Sequence, residues 1–236
     1  MGPTAEAVEL HPHLGAPQAP NTVRVDLHSH TMWSGDCTTT PEELVEAVTA
    51  SGIDVLCITD HGTINGAVAL AGELPCRVVV GEEVRTARGE IIGLFLSERI
   101  PAGLSPAEVC TRVRDQGGLV YVPHPFDPMR AALAPEVLAA LVDDGLVDGI
   151  EVRNAKTGLE HLNQQAADLA VQTGLAAGAG SDAHVPAALG AAYVEMADAD
   201  GPEAFLAALV AGTVVGHHFD PPRPWRPRIV PSTTAY

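Results

Sequence analysis

Two histidines separated by a single residue form the first group of side chains that could carry chemistry. His28 and His30 follow the apolar segment Val23–Leu27, and Asp36 comes shortly after them. Histidines at positions i and i+2 at the end of a strand can point to the same side, so that both imidazoles reach one metal ion. An isolated pair of this spacing is common without a metal, so its meaning depends on what accompanies it.

Comparable groups of histidines and acids follow later apolar segments. Five of the ten histidines lie directly after segments typical of strands, and most of these positions have an acid nearby. Histidines scattered as ordinary core or surface residues would not show this placement, so we interpret the set as one metal centre. The further positions are His61 after Ile53–Ile58, Glu83 after Arg77–Val80, Glu90 at the start of the next segment, His124 after Leu119–Val122, and Asp182 and His184 after Leu175–Ala177.

This donor set limits both the metals and the reaction. Imidazole and carboxylate ligands without thiolate suit divalent Zn, Mn, Fe or Mg ions. One ion needs only three or four protein ligands, so the larger set found here predicts two or three ions that share a bridging carboxylate. Such centres accept the oxygens of a phosphoryl group and lower the pKa of a bound water to about 7, which favours hydrolysis of a phosphate ester.

Short apolar segments alternate with helix-like segments along the chain. Two helices are indicated by capping boxes, in which Thr40 and Ser105 each precede a proline and, three positions on, a glutamate. Glu90–Leu96 is predicted to be a further strand or the second arm of a hairpin. Further strands are predicted at Gly149–Val152, Ala191–Glu195 and Thr213–Val215, and further helices at Pro135–Leu141, Glu160–Gln172 and Pro202–Val210.

Strand–helix alternation at this spacing predicts an α/β protein with a mainly parallel sheet. About seven such units without a glycine-rich nucleotide fingerprint favour a sheet that closes into a barrel. Functional residues of such barrels lie at the carboxyl ends of the strands. The candidate ligands fall at these positions, so the predicted fold and the predicted site agree.

The composition is that of an ordinary globular protein with an acidic surface. The chain has 236 residues, of which 46% are hydrophobic, and a formal net charge of −17. That charge disfavours binding of duplex nucleic acid. The four cysteines form no CxxC pair, which argues against a thiolate zinc site and against a disulfide framework. With no apolar run of membrane-spanning length and no secretory signal pattern, we expect a cytoplasmic protein without membrane association.

The ends of the chain differ in composition from its middle. Residues 1–21 and 219–236 are rich in proline and poor in apolar periodicity. We therefore predict a flexible N-terminal tail over 1–21, one globular domain over 22–218, and a proline-rich C-terminal tail over 219–236.

The order of these motifs resembles the PHP (polymerase and histidinol phosphatase) family. The resemblance covers about residues 23–218 and implies a distorted seven-unit (βα) barrel with a trinuclear metal site. The motifs that carry it are Asp26–His30, Ser34–Asp36, Thr40–Glu43, Thr59–Gly62, Gly81–Glu83, His124–Pro125 and Ser181–His184.

The resemblance also implies how the ligands are divided among three ions, with Glu83 shared by the first two. The implied sets are His28, His30, Glu83 and Asp182; Glu83, His124 and Glu90; and Asp36, His61 and His184. Many relatives have histidine at the position of Glu90, and a glutamate there would favour harder ions such as Mn or Mg. Glu83, Asp182 and His184 are predicted to take part in catalysis.

Other side chains are predicted to contact substrate or to position a ligand. Arg130 follows the His124 loop, and its planar guanidinium could pair with a phosphate group. Arg153 and Asn154 follow a predicted strand and are expected to face the same rim. Asp60 is predicted to orient a ligand histidine.

These features indicate hydrolysis of a phosphate ester by a metal-bound hydroxide. The resemblance is greatest to small stand-alone phosphoesterases, so we expect a small phosphorylated substrate such as a nucleotide or a short oligonucleotide. A histidinol-phosphate-like phosphatase of small metabolites is one alternative, and a non-catalytic metal-binding module that supports a partner protein is another. Amidohydrolase-type C–N hydrolysis fits less well, because Lys156, the only lysine, does not lie at the position of Glu83. The oligomeric state stays open.

Overall fold

The computed structural model describes residues 18–223. Most of the predicted N-terminal tail (1–21) and of the predicted C-terminal tail (219–236) therefore lies outside the described residues. The described part of the N-terminal segment is attached to the sheet, since the backbone N–H of Ala19 donates to the Glu195 carboxylate over 2.8 Å. The first strand begins at Thr22.

Strands and helices alternate over the described residues. The strands are β1 (Thr22–Ser29), β2 (Val55–Ile58), β3 (Arg77–Thr86), β4 (Gly89–Leu94), β5 (Leu119–Val122), β6 (Gly149–Asn154), β7 (Ala176–Gly180), β8 (Ala192–Ala197) and β9 (Thr213–Gly216). The helices are α1 (Pro41–Ser51), α2 (Asn65–Leu70), α3 (Pro106–Asp115), α4 (Pro135–Asp143), α5 (Glu160–Thr173) and α6 (Pro202–Val210). None of these described helices has the length and apolar character needed to cross a membrane.

Local sequence determines where α1 and α3 begin. The Thr40 hydroxyl accepts from the backbone N–H of Glu43, whose carboxylate accepts in turn from the backbone N–H of Thr40. Ser105 and Glu108 form the same reciprocal pair at α3. Both boxes satisfy backbone N–H groups that the first helical turn leaves without partners. The two predicted helix starts are therefore confirmed, and α1 fixes the end of the loop that follows β1.

One sheet contains all the described strands, in the order β7-β6-β5-β4-β3-β2-β1-β8-β9. The pairs β1–β2, β2–β3, β5–β6 and β6–β7 are parallel, whereas β1–β8, β3–β4, β4–β5 and β8–β9 are antiparallel. The prediction of a mainly parallel sheet is therefore wrong, because β3 and β4 form a hairpin and β8 and β9 run back along β1. The α/β fold is confirmed, while the number of seven units stays a prediction, since no helix separates β3 from β4.

The sheet curls until the end of β7 meets the end of β1. The backbone N–H of Asp182 donates to the His28 carbonyl over 2.7 Å, and that of His30 donates to the Ala183 carbonyl over 3.1 Å. Gly180 permits this approach, because a Cβ at that position would lie 2.3 Å from the Cβ of His28. The result is a nearly closed, barrel-like sheet whose seam brings together two of the segments that carry candidate ligands.

Apolar side chains fill the barrel and cover its outside. The inner cluster includes Leu27, Cys57, Tyr121 and, from α6, Phe205. Outside, α1 and α2 pack against β2, and α3, α4 and α5 pack against β4, β5 and β6. Burial of this apolar surface is the main stabilising contribution to such a fold. The polar groups at one end of the strands thus rest on a well-packed interior.

Candidate metal centre

All the predicted ligands converge at one end of the barrel. His28 and His30 are fully buried, and the others border a cavity of about 160 Å³ above them. Those bordering the cavity are Asp36, His61, Glu83, Glu90, His124, Asp182 and His184. Most of them lie at or after the carboxyl ends of β1, β2, β5 and β7. The exceptions are Glu83, which lies within β3, and Glu90, which lies at the start of β4.

His28, His30 and Asp182 form the deepest group. The Nε2 atoms of His28 and His30 lie 3.1 Å apart, and those atoms lie 3.9 and 3.5 Å from Asp182 Oδ1. Glu83 Oε2 lies 3.3 Å from both Nε2 atoms. Four potential ligands therefore surround one small volume at the seam of the barrel.

The carboxylate of Glu83 lies in the middle of the site. Its Oε1 is 3.1 Å from His124 Nε2, and its Oε2 is 3.3 Å from His61 Nδ1. Glu90 approaches the same two histidines, at 4.0 Å from His124 Nε2 and 3.9 Å from His61 Nδ1. Glu83 is thus placed to bridge two ions, and the β3–β4 hairpin brings Glu90 to the centre from the beginning of a strand.

Asp36, His61 and His184 form a third group at the open side. Asp36 Oδ2 lies 2.8 Å from His184 Nε2 and 3.8 Å from His61 Nε2. The side chains of Asp36 and His61 are 42% and 26% exposed, whereas that of His184 is 4% exposed. An ion held by this group would be the one most accessible to solvent.

Two candidate ligands have a backbone conformation that L-residues rarely adopt. His124 has a φ of 28° and Asp182 a φ of 49°. Positive φ costs free energy in a residue with a Cβ, and such conformations concentrate at functional sites. Both residues follow the end of a strand, so the strain lies where the chain turns to present a ligand.

At Glu83 and His30, nearby opposite charges shift the pKa more than burial does. Burial disfavours the charged form of Glu83, but the neighbouring histidines, His28 foremost, hold the pKa of its carboxyl well below the usual value. Burial likewise disfavours protonated His30, yet hydrogen bonds to Asp182 and Glu83 raise its pKa to about 9. His184 differs, because burial and the charge of His30 lower its pKa to about 4. The deep group therefore holds protons where cations would bind, while its carboxylates stay ionised.

The donor set fits divalent metal ions. Ligand atoms bonded to one ion at about 2.0–2.1 Å lie about 3.0–3.4 Å from each other. The Nε2 atom of His28 lies 3.1 Å from His30 Nε2 and 3.3 Å from Glu83 Oε2, which matches that spacing. His61 Nδ1 is buried beside Glu83 without a hydrogen-bond partner among the described residues. Nitrogen and oxygen donors of this kind suit Zn, Mn or Fe, and Mg where carboxylates predominate.

Glu151 was not among the predicted site residues, yet it positions two of the histidines. Its buried carboxylate on β6 lies 3.2 Å from His28 Nδ1 and accepts the backbone N–H of His124 over 2.7 Å. A carboxylate behind a metal-ligating histidine fixes the tautomer and the orientation of the ring. Ser34 Oγ lies 3.3 Å from His30 Nδ1 and can act on that ring in the same way.

Asp60, which is predicted to orient a ligand histidine, acts on the backbone beside His30 and forms no hydrogen bond with its ring. Its carboxylate accepts from the backbone N–H and from the hydroxyl of Thr31, both over 2.6 Å. Thr31 directly follows His30, so Asp60 fixes the backbone that carries this histidine.

The three residues predicted to contact substrate have different surroundings. Arg130 borders the cavity, and its Nε lies 4.0 Å from Asp182 Oδ2 without a hydrogen-bond partner among the described residues. Arg153 instead donates to both carboxylate oxygens of Glu160 and does not border this cavity. Asn154 is fully buried and donates to Glu151 and Asp182.

The predictions for Arg153 and Asn154 are therefore corrected. The pairing of β6 with β7 shifts register between Glu151 and Arg153. This irregularity, which strand alternation cannot anticipate, directs Asn154 toward the centre and leaves Arg153 beside α5. Asn154 positions a candidate ligand, and Arg153 forms an ion pair outside the site.

Two basic side chains at the site were not predicted. Lys156 Nζ lies 3.3 Å from Asp182 Oδ1 and 3.1 Å from His184 Nδ1. Arg85 borders the cavity and lies 3.2 Å from Glu90 Oε1. The sequence marks Lys156 only as the single lysine of an acidic chain, placed just after the strand that carries Glu151.

Family models match two parts of the chain. The model described as PHP domain matches residues 26–120, and the one described as PHP-associated matches residues 160–214. The first range contains most of the candidate ligands, and Asp182 and His184 lie in the second.

Known proteins similar to this chain include two uncharacterized proteins of Methanocaldococcus jannaschii. One is 41% identical over 146 residues, which cover 56% of this chain and 82% of that protein. The other is 38% identical over 178 residues, which cover 75% of this chain and 71% of that protein. A solved two-domain protein from Bacteroides vulgatus, described as containing a predicted PHP-like metal-dependent phosphoesterase, has a TM-score of 0.67 at 19% identity. The match covers 86% of this chain and 68% of the Bacteroides protein, and it shows a similarity of fold.

Proposed function

Because the chain belongs to the PHP domain family, we propose that it hydrolyses a phosphate ester with two or three divalent metal ions. One observation carries this proposal: the Glu83 carboxylate lies within 3.3 Å of a ring nitrogen of each of four histidines. A carboxylate in that position can hold two ions side by side. The four are His28, His30, His61 and His124.

Metal ions in such a centre supply a nucleophilic water of lowered pKa and accept the charge of the phosphoryl oxygens. The protein residues fix the geometry. Glu151 and Ser34 hold the rings of His28 and His30, and Asn154 holds Asp182. Pre-positioned ligands reduce the reorganisation needed when charge develops in the transition state.

The mouth of the cavity suits a small phosphorylated compound. Arg85 and Arg130 supply cationic groups at its border, where an arginine fork can bind phosphate oxygens. Met129 also borders the cavity and is 85% exposed, which leaves an apolar surface beside these charges. Both features support a nucleotide or a short oligonucleotide, with the base against Met129. The net charge of −17 opposes binding of duplex nucleic acid.

The test is hydrolysis of p-nitrophenyl phosphate and of bis(p-nitrophenyl) phosphate by protein freed of metal and reloaded with Mn, Mg, Zn or Fe. We expect turnover that depends on the added metal and is lost in His28→Ala. The matched control is His161→Ala, since His161 is exposed on α5 and does not border the cavity. Its turnover should equal that of the wild type.

The alternatives predict other outcomes of the same assay. A small-metabolite phosphatase of the histidinol-phosphate kind would hydrolyse the monoester and leave the diester intact. A non-catalytic metal-binding module would take up metal stoichiometrically and hydrolyse neither ester. In that last case, a screen of nucleotides and short oligonucleotides without turnover would refute the proposal.

A further inference from the structure

The segment after β9 runs across the barrel toward the metal centre. The backbone N–H of Phe219 donates to the Ala155 carbonyl over 2.8 Å, and His218 Nδ1 lies 2.9 Å from the same oxygen. The Phe219 side chain packs against the apolar clusters of the barrel. Both family matches end before this segment, at residues 120 and 214. Its course is therefore a feature of this chain that the family matches do not cover.

The segment brings Arg223 to the open side of the site. Arg223 Nη1 donates to the backbone carbonyl of Asp36 over 2.9 Å and lies 3.7 Å from Asp36 Oδ2. The side chain is 41% exposed, so part of the guanidinium remains accessible. A cation from the C-terminal segment thus lies beside a candidate ligand of the most accessible group.

Arg223 is one of three basic side chains that converge there from separate parts of the chain. Arg130 follows β5, Lys156 follows β6, and Arg223 follows β9. Arg130 Nε and Lys156 Nζ lie 4.0 and 3.3 Å from the Asp182 carboxylate. Lys156 Nζ also lies 3.1 Å from His184, whose other ring nitrogen lies 2.8 Å from Asp36, the carboxylate beside Arg223.

Like charges at short range are unfavourable unless an anion lies between them. The acids nearest to these cations are Asp36 and Asp182, both candidate metal ligands. A carboxylate that binds an ion has less charge to offer a neighbouring arginine or lysine. In the metal-loaded protein the three cations therefore need another anion.

We propose that residues 217–223 hold Arg223 at the open side of the site, beside Asp36, and that Arg223 there binds a phosphate group of the substrate together with Arg130, which borders the cavity. This inference rests on the proposed function and adds a binding element to it. The phosphate bound there is either the one that is hydrolysed or a second one on the same molecule, and the experiment separates these sources.

The experiment measures binding of three probes to the Mn-loaded protein by calorimetry and by thermal shift. The probes are inorganic phosphate, fructose 6-phosphate and fructose 1,6-bisphosphate. Arg223→Met should weaken phosphate binding by roughly 10-fold or more, the usual effect of losing a charge-assisted hydrogen bond. Arg223→Lys should restore part of it. Arg114→Met is the matched control, because Arg114 is also 41% exposed and pairs with Asp148 away from the cavity.

The outcomes separate this inference from the proposed function. Weaker binding of all three probes assigns Arg223 to the hydrolysed phosphate, and weaker binding of the bisphosphate alone assigns it to a second group. If the wild type, Arg223→Met and Arg114→Met bind every probe equally, or the wild type binds none, the inference is wrong. Hydrolysis of p-nitrophenyl phosphate by the wild type is scored separately, so either idea can fail while the other stands.

Discussion

Glu83 contacts four candidate ligands, and its neighbour Glu82 provides a comparison within the same strand. The Glu83 carboxylate lies among four histidines, whereas Glu82, equally buried, accepts the backbone N–H of Ile100 over 2.7 Å. Successive residues of a strand face opposite sides, which explains why adjacent glutamates have such different surroundings.

We therefore expect Glu83→Gln to lose bound metal and Glu82→Gln to keep it. A neutral amide cannot bridge two cations, and turnover should fall by about 100-fold or more, since even partners of metal ligands contribute 10- to 100-fold. Metal content by elemental analysis and turnover of p-nitrophenyl phosphate measure the two effects. Equal metal content in both variants would remove Glu83 from the centre.

Protons on the deep histidines predict a pH dependence of metal binding. An imidazole must lose its proton to bind an ion, and His30 has its pKa raised from 6.5 to about 9. Apparent Mn affinity should therefore rise with pH up to about 9, by about tenfold per unit for each proton displaced. Calorimetry in buffers of different ionisation enthalpy measures the released protons. Affinity that is constant between pH 6.5 and 9 would contradict the expected protonation of His30.

The third group should behave differently in the same titration. Burial lowers the pKa of both His61 and His184, to about 4 in the latter, so these rings are neutral at pH 7. An ion held by Asp36, His61 and His184 should bind near neutral pH without releasing protons. This difference distinguishes the two groups without a structure of the loaded protein.

At the residue level, the sequence was most informative about ligand types and least informative about the groups behind them. His28, His61 and His124 could be predicted because each lies at or just after the end of a strand. Glu151 could not, since a buried acid within a strand has no distinctive spacing, and Lys156 is marked only by being the single lysine of an acidic chain. Arg153 was misassigned because a register irregularity in β6 decides which side chain faces inward.

Within β3, the alternation that directs Glu83 to the site leaves Glu82 buried against Ile100. Burial raises the pKa of Glu82 from 4.5 to about 7. The folded protein therefore binds a proton that the unfolded chain releases between these values, and stability falls as the pH rises through that range. Well above pH 7 the ionised carboxylate should lower the free energy of unfolding by about 3 kcal/mol relative to about pH 4.

Glu82→Gln should remove this pH dependence. The amide oxygen can still accept from Ile100 without carrying a charge, so the variant should be the more stable protein at pH 8. The advantage should shrink toward pH 4.5, where Glu82 is neutral in the folded state. Urea unfolding of the metal-free proteins at both pH values measures it, and an advantage independent of pH would refute the assigned cause.

At the level of elements, local signals were sufficient for helix starts and insufficient for strand direction. Thr40 and Ser105 identify α1 and α3 through contacts within four residues. Whether β4 runs parallel or antiparallel to β3 depends on the short turn before Gly89, whose φ is 125°. A right-handed crossover and a hairpin use similar strand sequences, so the prediction of a mainly parallel sheet was wrong.

Barrel closure is a property of the whole molecule that no local pattern contains. It depends on Gly180 allowing β7 to approach β1 and on hydrogen bonds between residues more than 150 positions apart, such as Asp182 to His28. The metal centre lies on this seam, with ligands from both sides. Bound ions would therefore connect the two ends of the curled sheet, in addition to any role in catalysis.

Metal binding should consequently stabilise the entire domain. An ion that binds only the folded state adds about 2.7 kcal/mol when its concentration is 100 times its dissociation constant. For a chain of this size, that raises Tm by about 5–10 °C. Calorimetric scans with Mn and with a chelator measure the shift, which His28→Ala should reduce and His161→Ala should preserve. Because His28 lies on β1 and its partner Asp182 follows β7, an unchanged Tm in the wild type would mean that the seam closes fully without metal and that the ions contribute nothing to the fold.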